Sequence, residues 1–70
     1  MKPTYTTQAQ VRAAFWEAHP RFEQQARAFG VRSKGQNAQG TDTRCAFVDY
    51  IDMLARDGQI SEALAHRVTL

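Results

Sequence analysis

Cysteine is almost missing from this chain. Cys45 is the only one in 70 residues, so no intramolecular disulfide can form, and the Cys and His spacings of a structural metal site are absent as well. Chains of this length bury little surface and commonly rely on such a staple. What remains as a source of stability is an efficient helical core or association with a partner. Long apolar runs are also missing. No stretch approaches the ~20 residues of a membrane span, and Met1-Lys2-Pro3-Thr4-Tyr5 lacks the apolar centre of a secretory signal. With a lone cysteine compatible with a reducing compartment, these absences predict one soluble cytoplasmic domain, residues 1–70, with no membrane partner. Charge of one sign is scarce overall: the net is +2, too small to mark a nucleic-acid binder.

What is present is organised. Residues 1–40 carry six Lys/Arg against Glu17 and Glu23, a net of +4, while residues 41–70 carry three Arg against five acidic side chains, a net of −2. A basic half and an acidic half can complement each other within one fold or offer two differently charged faces to a partner.

The pattern is helical throughout, with no strand alternation, internal repeat or low-complexity segment. Thr7-Gln8-Ala9-Gln10 fits a capping box. Val11, Phe15, Ala18, Phe22, Ala26 and Phe29 then recur at steps of three and four, one stripe along a 3.6-residue helix, and Gly30 follows where a left-handed cap belongs. Pro20 disfavours helical geometry at His19. Residues 7–29 are therefore one kinked helix or two helices with Pro20 in the first turn of the second; the break is favoured, because 23 residues is a long straight helix for so small a domain.

Residues 31–43 hold two glycines and almost no apolar anchor, which predicts a long polar loop, the least constrained part of the fold. Asp42 or Thr41 is placed to cap a helix over roughly 43–57. Phe47, Val48, Ile51, Leu54 and Ala55 form its core face, with Tyr50 at the edge. Cys45, Asp49, Asp52 and Arg56 lie opposite, and Asp52–Arg56 is an i,i+4 pair. Asp57-Gly58 stops this helix. Ser61 caps a short last one, Ile60 precedes it as a hydrophobic staple, and Leu64 and Val68 continue the same face. The predicted fold class is all-α, three or four short helices around a single core.

No catalytic constellation stands out. Cys45 has no neighbouring base, His19 and His66 lie far apart, and Gly35 and Gly40 lack the strand and helix of a phosphate-binding loop. Asp49 and Asp52, i,i+3 on one face, read as a solvated surface rather than a cation site. No enzyme, metal or cofactor is implied. Two surface readings remain. Arg12, Arg21, Arg27, Arg32 and Lys34 form a basic set that either stays solvated, the favoured reading, or holds a phosphate backbone without reading sequence. Trp16, one turn after Arg12, is either an edge-of-core residue or an interface anchor in cation–π contact with that arginine. At the C-terminal end, helix, turn and helix loosely follow a helix-turn-helix over about 43–68, in which Ser61, His66 and Arg67 would meet DNA. Gln59 lengthens that turn and Glu62 would face phosphates, so an ordinary helical hairpin is the better reading.

Val11-Arg12-Ala13-Ala14-Phe15-Trp16-Glu17-Ala18-His19-Pro20 and Asp57-Gly58-Gln59-Ile60-Ser61-Glu62-Ala63-Leu64 resemble segments of short uncharacterised helical proteins of phages and integrated mobile elements. The resemblance covers about half of the chain and brings no catalytic residues. It implies a protein that acts by stoichiometric binding, anti-CRISPR-type inhibition of host defence being one form. The expectation is a non-enzymatic binder of a larger host protein or nucleoprotein complex, contacting it through Arg12, Trp16, Arg21, Arg27, Arg32 and Lys34. A DNA-binding regulator using Ser61, His66 and Arg67, and a homo-oligomer that completes its core by self-association, stand as alternatives.

Overall fold

The computed structural model describes residues 3–70 and builds them from helices alone, without a strand among the described residues. Helix α1 (Gln8–Ala18) begins at the capping box: the Thr7 hydroxyl accepts the Gln10 N–H at 3.2 Å, and Gln10 Oε1 accepts the Thr6 and Thr7 N–H groups at 2.8 and 3.2 Å. Donors that a helix start leaves open are thereby satisfied from within the first turn. The helix ends at His19, whose backbone (φ −130°, ψ 66°) has left the helical region, as a residue before proline tends to do. Pro20 then opens α2 (Pro20–Ala28) where its missing N–H has no helical partner to lose. Residues 8–28 are thus two helices, not one kinked one.

Glycine ends α2 and the next long helix in the same way. Gly30 takes φ +70°, its N–H reaches the Arg27 carbonyl, and the Val31 N–H reaches back to the Ala26 carbonyl at 2.9 Å. Gly58, at φ +74°, repeats this with Ala55 and with Gln59 bonded to Leu54. Both are Schellman closures, which need the left-handed conformation that glycine adopts without strain.

The segment after Gly30 is not the free loop that its composition suggests. A 3-10 turn spans Gln36–Ala38, and Gln39 is buried with its side-chain amide donating to the Val31 and Gly35 carbonyls at 2.6 and 3.3 Å. One polar side chain does here what an apolar anchor does elsewhere: it ties both ends of the turn to one point. Helix α3 (Thr41–Arg56) starts earlier than expected, on Gly40, and neither Thr41 nor Asp42 caps it. Asp42 instead lies in the first turn, where a carboxylate favours the positive end of the helix dipole. Helix α4 (Glu62–Arg67) starts as read: the Ser61 hydroxyl accepts the Leu64 N–H at 3.1 Å, with Ile60 buried before it.

Around these elements lies one core, made of Val11, Phe15 and Trp16 from α1, Ala26 from α2, Phe47, Ile51 and Leu54 from α3, and Ile60, Leu64, Val68 and Leu70 from the C-terminal segment. Thr43 joins the buried stripe of α3. Three apolar expectations fail. Val48 is 57% exposed because it lies 100° around α3 from Phe47, which points into the core. Phe29 is 73% exposed because the chain turns through Gly30 and returns Val31, not Phe29, to the packed side. Ala18, on the last turn of α1, is also exposed.

Phe15 has no exposed surface and Phe29 has mostly exposed surface. Phe15→Ala should therefore cost about 3–5 kcal/mol and unfold much of the population, whereas Phe29→Ala should stay within ~0.5 kcal/mol. Urea unfolding followed by far-ultraviolet circular dichroism distinguishes the two outcomes.

Candidate functional site

Three of the six residues expected at a contact surface come together beside α1. Trp16 is 3% exposed and belongs to the core, so the edge-of-core reading of this side chain holds. The cation over its indole is Arg32, from the turn after α2, with the guanidinium carbon 5.5 Å from the ring centroid. Arg12 was the expected cation, but helical side chains lean toward the helix N-terminus, and Arg12 follows that lean away from Trp16. Its Nη2 donates to Gln8 Oε1 at 2.8 Å and its Nε donates to the Thr69 carbonyl. Arg12 thus pins the C-terminal segment to α1.

Between the two arginines lies a groove of about 410 Å³. Ala9, Ala13, Trp16, Ser33, Gly35 and Leu70 complete its lining. The side chains at positions 9 and 13 are small, and Arg12 and Arg32 make the lining cationic. Arg32 is fixed a second time, its Nε donating to Glu23 Oε2 at 3.0 Å. Glu23 also draws Arg27, at 3.8 Å, across one helical turn. Arg27 is largely exposed and Glu23 half-buried, and a pair with one partner in solvent is worth little in stability. Arg21 and Arg27 are exposed on α2, and Lys34 is exposed between the groove residues Ser33 and Gly35. No contact draws Arg21 into the groove.

The alternative DNA-facing residues sit differently. The Ser61 hydroxyl is committed to the Leu64 N–H, and His66 and Arg67 are exposed in the last turn of α4. Helix α4 has six residues, about 9 Å of length, and Glu62 occupies its first turn. Helices α3 and α4 pack as a hairpin.

Of the remaining polar groups, Cys45 is exposed, and Asp52 pairs with Arg56 as its spacing predicts. His19 sits half-buried at the helix break with its ring 4.4 Å from Phe15 and 5.6 Å from Tyr50. Burial raises the Tyr50 hydroxyl above the usual tyrosine value, with the neighbouring Tyr5 phenol and then Glu17 adding to the rise. Two residues that shape the site, Glu23 and Gln39, carried no sequence signal. Each acts across a turn, at separations of nine and eight residues, where helical periodicity gives no guidance.

The chain matches no family model, no curated protein and no solved structure.

Two measurements test this geometry. Arg32→Ala should uncover the indole of Trp16, shifting its fluorescence to longer wavelength and raising its acrylamide quenching, with helicity retained. Folded Tyr50 holds its proton more tightly than the unfolded chain does, so the stabilisation this gives is complete below pH ~10 and lost as pH rises through the raised value. Tyr50→Phe should flatten that alkaline decline in thermal unfolding.

Proposed function

We propose that this chain is a non-enzymatic protein of a phage or mobile element that binds a larger host protein or nucleoprotein complex, with inhibition of host defence in the anti-CRISPR manner as its most specific form. The observation that carries this reading is the cationic groove lined by Arg12 and Arg32, with Lys34 exposed between two of its lining residues and Arg21 and Arg27 exposed on α2. Two guanidiniums flanking a groove suit carboxylate or phosphate oxygens, because each presents donors in a fixed fork. Arg12 and Arg32 are held by Gln8, Thr69, Trp16 and Glu23 before any partner arrives, so little side-chain freedom is lost on docking. Arg21 and Lys34, together with Arg27 in its exposed pair with Glu23, act at longer range and steer an acidic surface toward the groove. Small size, the resemblance to mobile-element proteins and the lack of a nucleophile–base pair in the sequence are consistent with stoichiometric action.

The test is affinity capture from the host cell, with and without nuclease, using wild type and the triple variant Arg21→Glu, Arg27→Glu, Lys34→Glu. All three side chains are exposed, so the helical signal should persist. Capture of the partner should fall at least ~10-fold at low salt and by less at high salt. Undiminished capture by the folded variant overturns the basic-surface reading. Nuclease-sensitive capture, or duplex binding that falls steeply with salt and depends on His66 and Arg67, would reassign the chain to nucleic acid.

A further inference from the structure

A second surface runs along α3. Its centre is Val48, an apolar side chain left 57% exposed in the middle of a 16-residue helix. Depressions extend from Val48 in both directions. One, of about 290 Å³, leads past Thr41 and Arg44. The other, of about 390 Å³, is lined by Ile51, Ala55 and Ala65, by the carboxylates of Asp52 and Glu62, and by His66. Arg44 carries the one buried side-chain nitrogen or oxygen without a hydrogen-bond partner among the described residues, its Nε. A buried donor left in that state costs stability until an acceptor reaches it.

The order of charges on this surface is the telling feature. Arg44, Val48 and Asp52 stand at i, i+4 and i+8, so they lie along one side of α3 with the cation and the carboxylate equally far from the valine. Arg56 continues the row one turn on and pairs with Asp52 at the exposed surface; the stretch from Arg44 to Asp52, positive then apolar then negative, is complementary to itself when reversed. A two-fold axis through Val48 sets Arg44 of one copy against Asp52 of the other, and the reverse. It also brings each arginine to the depression that holds Glu62 as a second carboxylate. An isologous interface needs this self-complementarity.

We infer that two copies of this chain pair through antiparallel α3 helices, Val48 against Val48 across the axis, with Arg44 of each copy seated at Asp52 and Glu62 of the other. The pairing covers the exposed valine and sets the half-buried Arg44 side chain beside carboxylates of the other copy. It uses none of the basic-groove residues and stands or falls independently of the proposed function. Ion pairs at an accessible interface contribute modestly and are screened by salt, so the dimer is concentration-dependent and weaker at high ionic strength.

Sedimentation equilibrium over a range of concentrations tests the pairing. Wild type should dimerise. Val48→Glu changes an exposed side chain and should leave the fold intact while weakening the dimer at least about tenfold. Arg44→Asp faces carboxylates with a carboxylate, and Asp52→Arg faces arginine with arginine, so each alone should be monomeric. Mixed in equal amounts they should dimerise with each other, because both reciprocal contacts then join opposite charges. Failure of the folded mixture to associate overturns the assignment. So does a wild-type monomer at every concentration, whatever other partner Val48 then meets. If Arg44→Asp loses its helical signal, Val48→Glu and Asp52→Arg decide: dimers of wild-type strength from both place the interface elsewhere, and weakening of both supports it.

Discussion

The Phe15 ring meets four aromatic neighbours, and the rest of the structure is arranged around that meeting. Trp16 and Phe47 stand edge-on to it at 5.1 and 5.2 Å, Tyr50 at 5.7 Å, and the His19 imidazole lies tilted against it at 4.4 Å. Such pairs contribute about 0.5–1.5 kcal/mol each beyond burial, a sizeable addition for a domain with no disulfide to limit its unfolded state. The contacts also join elements: Trp16 and His19 belong to α1 and its end, Phe47 and Tyr50 to α3. His19 takes its position because Pro20 ends the helix there. A carbonyl can only accept, so the 2.9 Å contact between His19 Nδ1 and the Phe15 carbonyl places the proton on Nδ1. The proline break and the aromatic node are thus one construction.

The groove depends on that node. Trp16 is fixed edge-on to Phe15 and so offers a steady face to Arg32, which Glu23 holds in turn from α2. The turn carrying Arg32 is kept in place by Gln39 at one end and by the Gly30 closure at the other. A segment rich in polar residues is tied down here because one buried side-chain amide donates to two of its carbonyls, not because it contributes apolar area. Arg12 performs the matching task on the far side, where it holds Thr69 and keeps Leu70 beneath the groove wall.

What could be read directly from the sequence was local. Thr7 with Gln10, Pro20, Gly30, Gly58 and Ser61 each set a boundary through contacts within five residues, and each lies where the structure uses it. Periodicity found Phe15, Phe47, Ile51, Leu54 and Leu64 because a buried stripe repeats with the helix. It misplaced Val48 and Phe29, since a stripe says which side of a helix is apolar and not how much of that side another element will cover. Gln39 was invisible for the converse reason: a buried polar residue is defined by acceptors that come into reach only after the chain has folded. The exchange of Arg12 for Arg32 over Trp16 has the same origin. Helical spacing brought Arg12 near in sequence, and a turn brought Arg32 near in space.

The charge asymmetry of the chain acquires a sharper meaning from these placements. Within the basic half, Glu23 binds Arg32 and Arg27, while Arg21 and Lys34 stay in solvent. Within the acidic half, Asp52 takes Arg56, and Asp49 and Glu62 remain exposed. The uncommitted exposed charges are mostly basic in the first half, Glu17 apart, and mostly acidic in the second, Arg67 apart. In the basic half the arginines that line the groove are already oriented, which favours a partner that brings acceptors to a fixed frame. The carboxylates border an open apolar strip with an under-satisfied arginine at its end, which favours a partner that supplies both an apolar contact and an acid. Reversed, the strip itself meets that second requirement, whereas the basic groove has no such self-complement and looks outward to a different molecule.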